Sequence, residues 1–122
     1  MSSIRSGQGA DAAGELQAFK AGFFKALAHP LRIRILELLV RGERSVQEIR
    51  DALAVDQPVV SQQLGILRAN QIVVGRKEGV SVRYALRDPL VGELLAVART
   101  IFNNQLTDTR NMLRELQRER RG

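Results

Sequence analysis

The chain has 122 residues, enough for one hydrophobic core of modest size and too few for two. Its 44% hydrophobic and 26% charged residues are ordinary for a globular domain, and its lack of cysteine excludes disulfides, thiolate zinc sites and thiol redox switches. The excess of 19 Lys and Arg over 13 Asp and Glu gives a formal net charge of +6, which favours a polyanionic partner.

The N-terminal residues 1–13 are small and polar. They predict a flexible tail, because an export signal would need an apolar central region. No apolar run approaches the roughly 18 residues of a membrane span. We therefore expect a cytoplasmic protein with no membrane partner.

The first two predicted helices meet at His29 and Pro30. The first helix runs from Glu15 to Leu27, where apolar side chains recur at helical spacing. The second begins at Pro30, because proline is tolerated in the first turn of a helix, and it ends near Arg41. Apolar residues cover most of its circumference, which predicts the central core helix. His29 is the one histidine, and we interpret it as a capping or structural residue.

A pair of short helices comes next. Ser45 and Glu48 have the spacing of a capping box, in which each side chain accepts a hydrogen bond from the other residue's backbone N–H, so a third helix begins near Val46. Asp56 is predicted to cap a fourth helix that has Pro58 in its first turn. The inward-facing residues of that helix are Val60, Leu64 and Leu67. Its solvent-facing side is predicted to carry Gln57, Ser61, Gln62, Gly65 and Arg68.

After Asn70 the apolar period changes from helical to alternating, which predicts a two-stranded hairpin. Its strands are expected at 72–76 and 80–86, joined by a turn at 77–79. The buried face of the hairpin is expected to carry Val82, Tyr84 and Leu86. The other face is expected to carry Ser81, Arg83 and Arg87.

The last predicted helix begins after Asp88 and Pro89 and runs to Arg118, with a frayed tail at 119–122. At 1.5 Å per residue it would be on the order of 45 Å long, more than a core this small can cover. We infer that a second subunit covers the rest. The apolar residues follow two neighbouring lines, Leu90, Leu94, Val97 and Ile101, then Phe102, Leu106, Leu113 and Leu116.

Four blocks of sequence carry a family resemblance. They are FKALAHPLRIRILELL (24–39), SVQEIRDAL (45–53), DQPVVSQQLGILRANQIV (56–73) and GRKEGVSVRYAL (75–86). In this order they resemble the ArsR/SmtB family of dimeric bacterial repressors. The resemblance implies a mainly α winged helix-turn-helix domain over residues 14–118, with four helices, a small β-hairpin and a fifth helix. It also implies a homodimer formed through the terminal helices.

One departure from the family pattern concerns the turn between the third and fourth helices. Family members commonly have glycine in this turn, where the present chain has Ala54. If this residue adopts a positive φ, alanine costs about 1 kcal/mol.

The resemblance makes the fourth helix the DNA-reading element, because an α-helix fits the major groove, where each base pair shows a distinct hydrogen-bonding pattern. Residues 68–87 contain five basic side chains and one acidic side chain. This predicts a positively charged hairpin that lies against the DNA backbone or in the adjacent minor groove. The predicted DNA contacts are Gln57, Pro58, Ser61, Gln62, Arg68, Arg76, Lys77 and Arg83. The predicted dimer contacts are Leu16, Phe19, Phe23, Leu94, Val97, Ile101 and Phe102. A twofold dimer on duplex DNA implies an inverted-repeat operator, and the expected activity is repression, with activation as the alternative.

The sequence leaves the sensed signal open. Val46 and Gln47 stand where metal-sensing relatives have a Cys-x-Cys pair, and the last helix has no histidine, so we predict no metal cofactor. Candidates for a weak nickel or zinc site are His29, Asp88, Glu93 and Asp108. The effector is otherwise a small molecule, another ion or a separate protein.

Two other classes of function are compatible with parts of this sequence. A winged-helix module that binds an acidic protein, with no direct DNA readout, would present the same basic face. An enzyme is not expected, because the chain has no cysteine nucleophile, no phosphate loop of the G-x-x-x-x-G-K type and only one histidine for a Ser–His–acid set. Steeply salt-dependent, sequence-selective DNA binding separates the regulator from the protein-binding module.

Overall fold

The computed structural model describes the backbone of residues 2–121 and the side chains of residues 12–121. The chain divides into two compact units, Met1–Asp88 and Pro89–Gly122. The elements of the first unit are α1 (Ser2–Leu27), α2 (Pro30–Val40), β1 (Arg44–Ser45), α3 (Val46–Leu53), α4 (Gln57–Ala69), β2 (Val73–Glu78) and β3 (Ser81–Leu86). The second unit holds the long helix α5 (Leu90–Arg121).

The predicted order of helices and hairpin is confirmed, with one additional strand. β1 pairs antiparallel with β3, so that Arg44 lies opposite Tyr84 and Ser45 lies opposite Arg83. The sheet order is β1-β3-β2, and the predicted two-stranded sheet is therefore wrong by one strand. A strand of two residues is too short to show an alternating pattern in the sequence.

The turn of the hairpin is shorter than predicted. Glu78 pairs with Ser81, so Lys77 and Glu78 belong to β2, and the turn consists of Gly79 and Val80. Gly79 has a φ of +63°, in the left-handed region that glycine adopts without steric cost. Val80 is fully exposed at the tip.

Both terminal helices extend beyond their predicted ends. The backbone of α1 is helical from Ser2 and that of α5 is helical to Arg121. Met1, Gly122 and the side chains of residues 1–11 lie outside the described residues. The flexible tail at 1–13 and the frayed end at 119–122 stay predictions.

The core of the first unit combines residues from α2, α3, α4 and the start of β2. Its fully buried side chains are Ile35, Leu36, Ile49, Val60, Leu64, Leu67, Ile72 and Val73. The predicted central place of α2 is confirmed by its buried residues, although Val40 at its end is exposed. Burial of a side chain of this size contributes roughly 1.5–3 kcal/mol, so these contacts fix one side of α4 and leave the other side free.

Candidate nucleic-acid interface

Helix α4 has one buried side and one exposed side, as the sequence predicts. Val60, Leu64 and Leu67 are completely buried. The predicted solvent-facing residues Gln57, Ser61, Gln62, Gly65 and Arg68 are all exposed, as is Pro58 in the first turn. Because successive residues turn by about 100° around a helix, Gln62 and Gly65 lie opposite Val60, and Ser61 and Arg68 lie on the adjoining flank. The amide and hydroxyl groups of Gln57, Ser61 and Gln62 therefore face solvent together.

Helix α3 is held at both ends by hydrogen bonds. Ser45 Oγ accepts from the backbone N–H of Glu48 at 3.1 Å, and Glu48 Oε1 accepts from the backbone N–H of Ser45 at 3.2 Å. This confirms the predicted capping box. At the other end, Arg34 Nη2 donates to the carbonyl oxygen of Leu53 at 3.3 Å. Ala54 follows with φ 54° and ψ 47°, so the alanine does adopt the left-handed conformation that glycine would favour.

The two other predicted caps differ in outcome. His29 Nδ1 accepts a hydrogen bond of 3.1 Å from the backbone N–H of Leu31, which confirms its capping role. Asp56 stands at the N-cap position of α4 with an extended backbone, but its side chain makes no capping hydrogen bond. Its carbonyl oxygen accepts from the N–H groups of Val59 and Val60 instead, so the predicted side-chain cap is wrong.

The wing, strands β2 and β3 with their turn, is less positive in space than in sequence. Arg76 Nη2 lies 2.7 Å from Glu43 Oε1 and 3.3 Å from Glu78 Oε2. Arg83 lies 3.1 Å from Glu43, 2.8 Å from Glu48 and 3.6 Å from Glu78. We call these two arginines and three glutamates the wing clasp. Their charges nearly cancel, so the run of basic residues overstates the positive charge of the wing.

Arg83 is partly covered by neighbouring elements. Its side chain is only 25% exposed, because β1 pairs with β3 and brings Glu48 to its guanidinium. The predicted alternation along β3 is also weak, since Val82, Arg83 and Tyr84 are all half-buried. The predicted placement of Arg83 on the face opposite to Val82 and Tyr84 stays a prediction.

The wing clasp shifts the pKa values of its acids downward. A hydrogen bond from Arg76, supported by one from Arg83, lowers the pKa of Glu43 below its ordinary value of 4.5. The backbone N–H of Ser45, followed by its side chain and Arg83, lowers the pKa of Glu48. Both carboxylates therefore stay ionised through the physiological range.

The remaining predicted phosphate contacts are more accessible. Arg68, in the last turn of α4, and Lys77, on β2, are exposed and have no salt-bridge partner among the residues that the structure describes. Arg76 belongs to the wing clasp, but 58% of its side chain is exposed. These three cations are available to a polyanion without first leaving a buried position.

Two polar residues next to this surface were not predicted. Gln63 of α4 is the one buried polar side chain among residues 12–121, and its Oε1 accepts a 2.9 Å hydrogen bond from Arg32 Nη1. Its position between Val60 and Leu67 on the helix gave a sequence signal for burial. No such signal existed for Arg32, which lies 31 residues away in the chain.

The predicted dimer residues expose apolar surface within each unit. In the first unit Phe19 is 72% exposed, Leu16 is exposed and Phe23 is half-buried. In the second unit Val97, Ile101 and Phe102 are exposed and Leu94 is half-buried. The seven side chains are thus accessible in a single chain, and their role in a dimer stays a prediction at this point.

Within the described part of the chain, no three His, Asp or Glu side chains form a group that could hold a metal ion. None of the described helices combines the length and hydropathy that crossing a bilayer requires. The predicted absence of a metal cofactor stays a prediction.

Comparison with known proteins identifies the family. A family model described as "Bacterial regulatory protein, arsR family" matches residues 29–73, from the cap of α2 to the first residue of β2. A Mycobacterium tuberculosis protein named "Uncharacterized HTH-type transcriptional regulator Rv0081" is 45% identical over 102 residues, which cover 83% of this chain and 90% of that protein. The chain belongs to the arsR family of bacterial regulatory proteins. The predicted ArsR/SmtB resemblance is confirmed.

Solved structures resemble this arsR-family chain over most of their length. The crystal structure of M. tuberculosis Rv0081 has a TM-score of 0.71 at 47% identity and covers 76% of this chain and 94% of its own. The homodimeric winged helix-turn-helix domain Mb0332 of Mycobacterium bovis has a TM-score of 0.73 at 31% identity, with coverage of 79% and 89%. The transcriptional repressor BigR of Xylella fastidiosa has a TM-score of 0.66 at 34% identity and covers 75% of this chain and 94% of its own. The winged helix-turn-helix fold is therefore confirmed.

Proposed function

We propose that this arsR-family chain is a sequence-specific DNA-binding transcriptional repressor that acts as a homodimer. The observation that carries the proposal is the exposed side of α4, where Gln57, Ser61 and Gln62 present uncharged hydrogen-bonding groups on the second helix of a helix-turn-helix. A glutamine side chain can bond adenine with both its amide N–H and its carbonyl oxygen. Similarity to the repressor BigR and to the regulator Rv0081 supports the same assignment.

The contacts divide into base readout and phosphate binding. We assign Gln57, Ser61 and Gln62 to base edges in the major groove, and call α4 the reader helix. Pro58 would lie against the DNA backbone at the start of that helix. The exposed cations Arg68, Arg76 and Lys77 are assigned to phosphates, which gives affinity and salt dependence without sequence information.

Arg83 receives a different role in this proposal. Arg76 is also ion-paired, but 58% of its side chain is exposed, whereas the Arg83 side chain is only 25% exposed and lies near three carboxylates. A phosphate would have to reach a mostly covered group and displace all of its ion pairs. We assign it to holding the wing in position and not to direct DNA contact. Bound at a promoter, the dimer would repress by blocking RNA polymerase.

The dimer is supported by the apolar surface that a single chain leaves in water. Phe19 and Leu16 on α1, and Val97, Ile101 and Phe102 on α5, are exposed. A monomeric protein would gain free energy by covering such side chains, and the similar domain Mb0332 is homodimeric. We therefore assign α1 and α5 to the contact between subunits.

Selection of duplexes from a random pool by the purified protein tests the function. The proposal predicts enrichment of an inverted repeat whose half-sites lie about 10 bp apart, centre to centre. Binding to this operator should fall steeply as salt rises from about 50 to 200 mM. Failure to enrich any motif, together with capture of an acidic protein by the same basic face, would favour the protein-binding module.

The oligomeric state needs a separate measurement. Sedimentation of the wild type should give the mass of a dimer, and a variant with Val97→Glu and Ile101→Glu should give that of a monomer. Arg114→Glu, another acidic substitution at an exposed position of α5, serves as the control. A wild-type monomer at micromolar concentration would contradict the dimer.

We also propose that this protein does not bind or sense a metal ion. The candidate ligands His29, Asp88, Glu93 and Asp108 belong to no group of three or more potential ligands in the described residues. Calorimetry with Zn²⁺ and Ni²⁺ should show no micromolar binding. Release of the operator by either ion would contradict this, and the same release assay with small molecules would identify the effector.

A further inference from the structure

One arginine joins the end of α1 to the buried side of the reader helix. Arg32 Nε donates a 2.7 Å hydrogen bond to the carbonyl oxygen of Ala26, and its Nη2 lies 3.5 Å from that of Lys25. Its Nη1 donates a 2.9 Å hydrogen bond to Gln63 Oε1. Both carbonyls belong to the last turn of α1, where the helix dipole is negative and attracts a cation. A single planar guanidinium therefore holds acceptors from two helices.

The hydrogen bond to Gln63 constrains the reader helix in a way that its apolar contacts do not. Apolar packing is non-directional, so Val60 and Leu67 tolerate small rotations of α4. A hydrogen bond to a rigid guanidinium depends on distance and angle and weakens when the helix turns. Gln63 immediately follows Gln62 of the exposed side, so any rotation that breaks the bond also turns the reading residues.

The rest of the space between α1 and the end of the reader helix is not filled. A groove of about 290 Å³ is open between these elements, lined by Phe19, Gly22, Phe23, Ala69, Asn70 and Gln71. Side chains that border an open groove have few partner atoms across it and do not fix the distance between its walls. Among the described residues, the hydrogen bonds of Arg32 connect α1 to the reader helix.

We propose that Arg32 is a positioning residue that sets the rotation of the reader helix relative to α1. The proposal rests on the function above, in which α1 lies at the contact between subunits and α4 reads DNA. In a dimer, a fixed angle between those two helices fixes the separation of the two reading surfaces. Arg32 and Gln63 thereby determine how strictly the protein selects the spacing of its two half-sites.

The test compares the affinity for the selected operator with the affinity for operators whose half-sites lie one base pair closer together or farther apart. We call the spacing of the selected operator the correct spacing. Gln63→Leu keeps the side-chain volume but removes the acceptor, and Arg32→Lys keeps the charge but removes the planar set of donors. Both variants should bind the operator with the correct spacing about tenfold more weakly. The lost charged hydrogen bond no longer holds the angle of the reader helix, so DNA binding must fix that angle. In both variants, the ratio of the affinity at the correct spacing to the affinity at an altered spacing should fall toward one. Arg41→Lys, at an exposed position after α2, should behave as the wild type.

A conservative variant separates positioning from simple loss of stability. Gln63→Glu keeps the acceptor and should keep the spacing preference of the wild type. If Gln63→Leu and Arg32→Lys weaken binding equally at every spacing, the residues are structural only and the inference is overturned. If circular dichroism shows that Gln63→Leu does not fold, Arg32→Lys alone tests the inference, through its ratio of affinities at the correct and altered spacings. If the wild-type protein selects no operator, the proposed function itself is wrong. That result differs from the one that overturns only the role of Arg32.

Discussion

Arg83 Nη1 donates a 2.8 Å hydrogen bond to Glu48 Oε1, across 35 positions of the chain. Glu48 also accepts the backbone N–H of Ser45 and so closes the first turn of α3, whereas Arg83 lies in the middle of β3. The contact therefore joins the wing to the helix that precedes the reader. We infer that the wing and the helix-turn-helix keep a fixed relative position before DNA arrives.

The first prediction separates Arg83 from Lys77. Arg83→Gln should lower the thermal midpoint, because it removes the arginine that pairs with Glu48, and should weaken DNA binding with the salt dependence unchanged. Lys77→Gln should leave the thermal midpoint unchanged and reduce the slope of log affinity against log salt by about one, as expected for a lost phosphate contact. Thermal melts and fluorescence anisotropy at several salt concentrations measure both. A reduced slope for Arg83→Gln would instead make it a phosphate contact.

The second prediction concerns acid. The hydrogen bond from Arg76 lowers the pKa of Glu43, so this carboxylate stabilises the folded chain above its unfolded pKa, near 4.5, and the contribution is lost as pH falls through the lower folded pKa. The wild type should therefore be more stable than Glu43→Gln at pH 7, with the difference shrinking below about pH 4.5. Urea unfolding across this range provides the measurement. A constant difference at every pH would contradict the role of Glu43.

The third prediction concerns the turn before the reader helix. Ala54 has a φ of 54°, which costs an alanine about 1 kcal/mol more than a glycine. Ala54→Gly should raise the free energy of unfolding by up to about this amount, whereas Ala52→Gly, inside α3, should lower it by about 1 kcal/mol. Chemical denaturation of the three proteins measures both changes. Loss of stability in Ala54→Gly would show that the turn does not hold the alanine under strain.

The fourth prediction concerns base readout. Gln62→Ala should weaken binding to the selected operator by about 1–3 kcal/mol while leaving binding to random duplex nearly unchanged. Gln117→Ala, an exposed glutamine on α5, is the matched control and should match the wild type on both duplexes. Competition titrations at one fixed salt concentration give the ratio of the affinity for the operator to the affinity for random duplex. Equal losses on both duplexes would remove Gln62 from the base contacts.

Much of the fold and part of the site could be predicted because they depend on local pattern. The helical spacing of Val60, Leu64 and Leu67 identified the buried side of α4 and, by exclusion, the exposed glutamines. The capping box at Ser45 and the cap at His29 also involve residues only two or three positions apart. Such interactions leave a recognisable spacing in the sequence.

The interactions that could not be predicted join distant parts of the chain. Glu43 reaches Arg83 across 40 residues and Arg32 reaches Gln63 across 31, and neither pair has a local spacing that identifies it. Counting charges along residues 68–87 therefore overestimated the positive charge of the wing. The strand β1, which brings Glu48 to Arg83, has only two residues and is too short to show an alternating pattern in the sequence.

The most direct test of the account follows the side-chain amide signals of Gln57 and Gln62 by NMR while the selected operator is added. If the exposed side of α4 reads DNA, both signals shift and saturate at one duplex per dimer, while the Gln117 signal on α5 stays in place. If the signals of Gln57 and Gln62 do not move when the protein is saturated with operator, α4 is not the reader helix.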